Sequence, residues 1–334
     1  MPTIKINITQ QSLEDLFKNG EITINIGMEN HLSQINESTK HDTFFELMTQ
    51  LITRMKETGN IRTSETYRTA LNHFQRFRNN QDLSFKDISP ELMEEYQNYL
   101  RSRHLAMNTV SFHMRILRAV YYKGIHRGLT YDAKPFRNVY TGKAQTQKRS
   151  LTIEDMHKIK KIKLDTKKLE FARDLFLLSF YLRGMSFVDL AYLKKSDIHN
   201  NILIYKRRKT GQLLRIKWEQ PMQKIVNRYK CQQSNYLLPI IKKDNGKELN
   251  QYRYWLLKTN IRLKEVAKKA GINFNLTMYC ARHTWATIAR DIHTPMNIIS
   301  SAMGHTHEKT TEIYIKTIDC DIVDKANEQI IKLI

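Results

Sequence analysis

The sequence predicts a mainly α-helical protein of two domains, with a small β-hairpin or sheet in the second domain. Its 334 residues are enough for about two domains. Apolar residues recur at spacings of three and four through most of residues 43–316, which is the period of an amphipathic helix. The period changes to two only around residues 202–216, where it indicates paired strands. Residues 141–150 are polar and basic without an apolar anchor, so they predict an interdomain linker.

The first 40 residues differ in composition from the rest of the chain. The alternations I-K-I-N-I at residues 4–8 and I-T-I-N-I at residues 22–26 predict short strands. This segment has three lysines and five acidic residues, a balance that does not favour contact with a polyanion. We therefore expect an N-terminal extension with a structural or protein-contact role, and an arm that binds a polyanion is the alternative.

Residues 41–140 predict a domain of four to five helices. The first helix presents a continuous apolar face that begins at Phe44. Thr63 and Ser64 are expected to cap the second helix, and Pro90 is expected at the first position of the third. The pair Asn108 and Thr109 is expected to cap the fourth helix.

Residues 151–320 predict the second domain, which Thr152 opens as a helix cap followed by acidic residues. Residues 170–194 predict a long helix or a helix pair. Strands at residues 202–205 and 213–216 flank the turn K-T-G-Q and predict a hairpin. Further helices are predicted at residues 218–229, 252–270, 279–291, 295–303 and 308–316. An amphipathic C-terminal helix, residues 321–334, is a candidate subunit contact.

The net charge of +22 and the pI near 9.8 predict attraction to a polyanion. Nucleic acid is the first candidate, because neutralising phosphates drives its association with basic proteins. The alternative is a ribosomal or membrane-surface basic protein. No apolar run approaches the roughly 20 residues of a membrane span, and no signal peptide is visible. The three widely spaced cysteines form neither a metal-ligand pattern nor a disulfide framework, which fits a reducing cytoplasm.

Residues 276–314 contain the most specific motif of the chain. It reads L-T-M-Y-C-A-R-H-T-W-A-T, followed after a spacer by M-G-H-T-H-E-K-T-T-E-I-Y. Arg282 lies on a predicted helix, His305 follows Gly304, and Tyr314 comes nine residues after His305. This pattern resembles the active-site signature of the tyrosine recombinases, the phage-integrase family. The resemblance covers roughly residues 43–316.

The resemblance implies DNA cleavage and religation through a 3′-phosphotyrosine, without metal, ATP or another cofactor. Tyr314 would be the nucleophile, and Arg282 would grip the phosphate through two of its oxygens. His305 would bond to the same phosphate, with a further role as a base. Lys209 in the hairpin turn would give a proton to the leaving 5′-oxygen.

Two positions depart from the family pattern. Gly184-Met185 is followed by Ser186 where the family has its first arginine. Arg183 is the favoured substitute, because it precedes Ser186 by about one helical turn; Arg207, two residues before Lys209, is the second. Tyr279 stands where the family has His or Lys, and it would donate a hydrogen bond without a positive charge.

The family also implies a C-shaped clamp of two domains around double-stranded DNA, active as a homotetramer on two sites. An accessory DNA-bending protein is a further candidate partner, and the expected location is the cytoplasm, at the nucleoid. Two alternatives are a catalytically silent DNA-binding protein and an enzyme that relaxes DNA like a type IB topoisomerase. Candidate DNA contacts lie at expected helix starts, in the linker and beside Lys209: Thr63, Ser64, Arg68, Asn108, Thr109, Lys148, Arg149 and Arg208.

Overall fold

The computed structural model describes residues 43–146, 149–229, 234–243, 245–305 and Thr311. The strands expected within residues 1–40, Lys148, Tyr314 and the C-terminal helix expected over residues 321–334 lie outside the described residues. Contacts between residues divide the chain into two compact units, with the division between Gln145 and Thr146.

The described part of the first unit is built from four helices around one apolar core. Helix α1 spans Phe44–Glu57, α2 Ile61–Phe77, α3 Pro90–Ser102 and α4 Met107–His126. The core is rich in aromatic residues, because each helix turns its apolar face inward. Its largest fully buried side chains include Tyr96, Tyr121, Phe44, Phe74 and Phe85.

The helix starts in the first unit are only partly as expected. Ser89 caps α3 by accepting a hydrogen bond from the backbone of Leu92, with Pro90 at the first position, as predicted. Helix α2 instead begins at Ile61, so Thr63 and Ser64 lie inside its first turn and do not cap it. Helix α4 begins at Met107, directly before Asn108 and Thr109. The residues at the capping positions are Asn60 and Ala106, so both expected caps are wrong by two to four residues.

The second unit combines helices with a three-stranded antiparallel sheet. Its helices are α5 Ile153–Lys161, α6 Lys167–Tyr181, α7 Phe187–Tyr192, α8 Gln220–Arg228, α9 Glu248–Lys269, α10 Met278–Asp291 and α11 Met296–Ala302. The strands are β1 Ile198–His199, β2 Ile202–Lys206 and β3 Leu213–Lys217. Strands β2 and β3 pair with Leu203 opposite Ile216, which confirms the predicted hairpin. Strand β1 pairs with β2 and was not predicted.

Helix α6 lies inside the second unit and is buried over most of its length. Its one buried acid, Asp174, accepts hydrogen bonds from the side chains of Arg173, Arg228 and Tyr229, so its charge is compensated. Thr152 caps α5 through the backbone of Asp155, as predicted. The mainly α fold class with a small sheet is confirmed.

No helix among the described residues is long and apolar enough to cross a membrane. Across the same residues, no group of three or more His, Cys, Asp or Glu side chains is arranged to hold a metal ion.

Candidate active site

Arg282 is the centre of a buried polar site in the second unit. It lies on α10, between the alanine and histidine of the A-R-H-T motif, and its side chain is only 4% exposed. One terminal nitrogen, Nη1, donates to the carbonyl of Gly184 at 2.9 Å. The other, Nη2, donates to the carbonyl of Met303 at 2.6 Å. Two loops distant in sequence therefore hold the plane of one guanidinium group in a fixed orientation.

Gly184 is a glycine because α10 passes directly against it. Its φ is +69°, a left-handed conformation that side chains disfavour. A Cβ atom at this position would lie 2.6 Å from the Cα of Arg282. The close approach lets the Gly184 carbonyl reach the arginine, so the glycine sets the position of the guanidinium.

His305 contacts the same guanidinium from the loop after α11. Its Nε2 lies 2.8 Å from Nη2 of Arg282, and its Nδ1 lies 2.9 Å from Oγ1 of Thr311. Since a guanidinium only donates, Nε2 is the acceptor and Nδ1 carries the hydrogen. Burial, then the charges of Arg282, Arg207 and Lys209, lower the pKa of His305 from its ordinary value to about 4. The ring is therefore neutral at physiological pH.

Arg207 enters the site from the hairpin. It directly follows β2, is only 6% exposed, and donates from Nη1 to the carbonyl of Gly304 at 2.5 Å. Gly304 has a φ of +66°, and a Cβ there would lie 2.9 Å from Cδ1 of Leu214. The hairpin and the loop before His305 thus pack closely, and Arg207 bonds them together. Two guanidinium groups and one neutral imidazole share one buried site.

Comparisons with known proteins show which proteins this chain resembles. A family model described as the phage integrase SAM-like domain matches residues 43–141. The tyrosine recombinase XerA of Pyrococcus furiosus is 28% identical over 223 residues, covering 65% of this chain and 72% of the relative. The tyrosine recombinase XerD of Halalkalibacterium halodurans is 23% identical, covering 69% of this chain and 78% of the relative. The chain is therefore similar to the tyrosine recombinases over about two thirds of its length.

Solved structures of recombinases share the fold. The alignment with a lambda integrase tetramer bound to a Holliday junction includes 92% of this chain and 85% of the integrase chain. The TM-score is 0.63 and the sequence identity is 15%. The Tn1549 transposon integrase in complex with circular intermediate DNA covers 86% of this chain, is covered over 99%, and has a TM-score of 0.65 at 15% identity.

Ser186 and Asp189 fix the turn at the end of β2. Ser186 caps α7 and donates its hydroxyl hydrogen to Oδ2 of Asp189 at 2.6 Å. Oδ1 of Asp189 accepts from the backbone N–H of Arg208 at 2.9 Å. The serine therefore has a structural role in the helix start, and the buried acid links α7 to the segment that carries Arg207 and Lys209.

Arg183 does not share a helix with Ser186, contrary to the premise from which we favoured it. Helix α6 ends at Tyr181, and both Arg183 and Gly184 have positive φ values of +59° and +69°. The turn points the half-buried Arg183 side chain into an open cleft lined by residues of β3 and α11, including Asn297 and Ser301. Although Arg183 and Ser186 are three residues apart in the sequence, they therefore do not lie one helical turn apart on a common helix face.

Lys209 and Tyr279 are both exposed side chains. Lys209 is exposed in the hairpin turn, close enough for its charge to act on His305. Arg207 and Lys209 follow the end of β2, so they do not share one side of a strand; one is buried and the other exposed. Tyr279 is 54% exposed, and its ring packs edge-on against His283 at 4.9 Å between centroids.

The candidate DNA contacts fall into three groups. Exposed side chains are those of Thr63, Arg68, Thr109, Arg149 and Arg208, of which the last also stacks on Tyr192 at 3.9 Å. Ser64 is fully buried and donates to the carbonyl of Ile61, so its hydroxyl is not available to a ligand. Asn108 exchanges two hydrogen bonds with the backbone of Ala144. Lys148 lies outside the described residues.

Thr311 is the site residue that the sequence interpretation missed. Its side chain is fully buried against His305, six residues earlier. The available signal was its place three residues before Tyr314, which puts it about one turn away on a helix predicted over residues 308–316.

Proposed function

We propose that this protein performs site-specific DNA recombination, cleaving and religating DNA through a 3′-phosphotyrosine at Tyr314. The observation that carries the proposal is the single buried site formed by Arg282, Arg207 and His305. Tyr314 follows His305 by nine residues in the sequence. Fixed guanidinium groups suit a reaction in which negative charge grows on the oxygens of a phosphodiester.

In the cleavage step, the phenolic oxygen of Tyr314 forms a bond to phosphorus and the bond from phosphorus to the 5′-oxygen breaks. The phenolic proton leaves to a base, for which the neutral His305 is the candidate. Lys209 donates a proton to the 5′-oxygen. Because the phosphodiester is replaced by another phosphate ester, its energy is retained for religation and no ATP is required.

We assign the missing first-arginine role to Arg207 and not to Arg183. Arg207 is buried beside Gly304 and acts electrostatically on His305, whereas the half-buried Arg183 lines an open cleft between β3 and α11. A guanidinium held by a carbonyl before DNA arrives needs little reorganisation to meet the phosphate. Tyr279 would donate a hydrogen bond from the edge of the site in place of a cation.

DNA contacts are proposed for the exposed candidates and for Lys148, and not for Ser64 or Asn108, whose polar groups are used within the protein. The retained residues are Thr63, Arg68, Thr109, Lys148, Arg149 and Arg208. Phosphate contacts of this kind position a protein on the duplex.

We further propose a domain division at residues 1–40, 41–140, 141–150, 151–320 and 321–334, with the last segment in contact with a neighbouring subunit. The active assembly would be a homotetramer on two double-stranded DNA sites, as in the lambda integrase tetramer bound to a Holliday junction. The protein would work at the nucleoid in the cytoplasm, with an accessory DNA-bending protein as a candidate partner.

A suicide DNA substrate tests the proposal. A nick close to the cleavage site makes the leaving strand short, so the fragment that carries the freed 5′-hydroxyl diffuses away. Religation is then prevented, and cleavage traps a covalent protein–DNA adduct. We expect an adduct with the wild type and none with Tyr314→Phe. No adduct on the natural site, or an equal adduct with Tyr314→Phe, would overturn the catalytic assignment. Exchange of strands between two sites would distinguish recombination from relaxation alone.

A further inference from the structure

The contact between His305 and Thr311 has a direction that the neighbouring arginine determines. Nη2 of Arg282 lies 2.8 Å from Nε2 of His305 and can only donate. Nδ1 therefore carries the ring hydrogen and donates it to Oγ1 of Thr311 at 2.9 Å. Both partners are buried, Thr311 fully, so water does not replace this acceptor.

We propose that Thr311 is a positioning residue that keeps His305 in the tautomer with a lone pair on Nε2. This inference rests on the proposed function, because it assigns the atom that accepts the phenolic proton. In the other tautomer, Nε2 would carry a hydrogen and could donate to a phosphate oxygen, but it could not accept a proton. Thr311 thus decides between a proton acceptor and a phosphate donor.

In the absence of DNA, Arg282 and Thr311 both favour the His305 tautomer with a lone pair on Nε2. During the reaction only Thr311 continues to do so. When the scissile phosphate binds, its oxygens compete for the N–H groups of Arg282. The bond from Nη2 to Nε2 is then exchanged for a bond to phosphate, which leaves the Nε2 lone pair accessible. From that point the bond from Nδ1 to Thr311 is what keeps the hydrogen away from Nε2.

The charges of the site support a base that becomes active only with substrate. Arg282, Arg207 and Lys209 each add to the effect of burial in holding the pKa of His305 low. A bound phosphodiester brings one negative charge among these cations, which raises the affinity of Nε2 for a proton. The imidazole is thereby brought closer to the range in which general bases are effective.

The test compares Thr311→Val with Thr311→Ser in the full-length protein. Valine keeps the shape of threonine but removes the acceptor, whereas serine keeps the hydroxyl. We expect Thr311→Val to form the suicide-substrate adduct at about 10- to 100-fold lower rate, with Thr311→Ser within about threefold of the wild type. Thr287→Val, which removes another buried hydroxyl of the same unit, is the matched control and should retain the wild-type rate.

The tautomer is measured independently of DNA cleavage from the ¹⁵N chemical shifts of His305. The free wild type should have a protonated Nδ1 and an unprotonated Nε2, and Thr311→Val should shift this balance or reorient the ring. A protonated Nε2 in the wild type, or unchanged cleavage by Thr311→Val, would overturn the proposal while adduct formation by the wild type still supports the proposed function. If the wild type forms no adduct, the function fails, and the ¹⁵N shifts alone decide the tautomer.

Discussion

Replacement of Arg207 by alanine should show whether Arg207 or Arg183 acts on the reacting phosphate. The wild-type side chain is 6% exposed and is oriented by the carbonyl of Gly304. Removing one preorganised donor to a transition-state oxygen costs about 10²- to 10³-fold in rate. We therefore expect Arg207→Ala to slow adduct formation on a suicide substrate by at least 100-fold, and Arg183→Ala to slow it by less than about threefold.

The same substitution has two further consequences that the structure allows us to predict. The buried Gly304 carbonyl loses a charged donor, which should lower the free energy of unfolding by about 1–3 kcal/mol. The pKa of His305 should rise above about 4, because Arg207 is one of the charges that lower it. An NMR titration of the His305 ring measures this rise in the free protein, whether or not the variant cleaves DNA.

A rescue experiment completes the test of the arginine assignment. Ser186→Arg places a guanidinium where the family has its first arginine, at the cost of the Ser186 cap of α7, about 0.5–2 kcal/mol. In the Arg207→Ala background it should restore the cleavage rate at least tenfold. The reasoning is refuted if Arg207→Ala cleaves normally, if Arg183→Ala is the inactive variant, or if the His305 pKa does not change.

Two further predictions concern the close packing at Arg282 and the buried histidine of the first unit. Gly184→Ala should destabilise the protein by about 2 kcal/mol or more and cut the cleavage rate at least 100-fold, because its Cβ would lie 2.6 Å from the Cα of Arg282 at a positive φ. Gly128→Ala is the control, because Gly128 also has a positive φ but an added Cβ would have no atom within 4 Å. It should lower the free energy of unfolding by only about 1 kcal/mol and leave cleavage intact. Equal destabilisation by the two variants in thermal unfolding would contradict this prediction. Burial, then the charge of His73, lowers the pKa of His113 to about 4. The unfolded chain, with a pKa near 6.5, binds more protons between these values, so stability should fall by up to about 3 kcal/mol as the pH falls from 6.5 to 4. His113→Phe should reduce this loss in urea titrations at pH 7 and 5, and a parallel loss in the variant would show that His113 is not its source.

The periodicity of the sequence was sufficient to predict most of the regular structure. The apolar face that begins at Phe44 is buried in α1, and the change of period near residue 202 marks the β2–β3 hairpin. These features follow from burial of one helix face or alternate strand residues, which the sequence displays directly. Strand β1 has only two residues, Ile198 and His199, too few for any alternation to be recognised.

Helix starts were predicted less well, because several residues near a turn can serve as caps. Thr63 and Ser64 are good capping residues, but α2 begins two residues earlier, directly after the turn at Gly59. Gly59 has a φ of +76°, which ends α1 and lets the next helix begin at once. The conformation of the turn therefore overrides the capping preference of the later residues.

Spacing in the sequence was enough to select Arg282 and His305 as candidates, but not to predict their contacts. The distance between Arg183 and Ser186 in the sequence suggested one helical turn, and the positive φ of Arg183 removes that relation. Arg207 is brought to Gly304 across 97 positions of the chain by the packing of the hairpin against the loop before His305. Contacts of this kind depend on tertiary structure, so no local pattern indicates them.

The contacts of Arg282 and Arg207 explain how a site rich in positive charge can be assembled before DNA binds. The described acceptors of the two guanidinium groups are the carbonyls of Gly184, Met303 and Gly304 and a neutral imidazole. Carbonyl dipoles orient the cations without cancelling their charge, as a carboxylate partner would. In the proposed reaction, a phosphodiester bound beside the two guanidinium groups would relieve the repulsion between them. We propose that Arg207 serves in place of the family's first arginine although it lies beside the hairpin, because the carbonyl of Gly304 orients its guanidinium group.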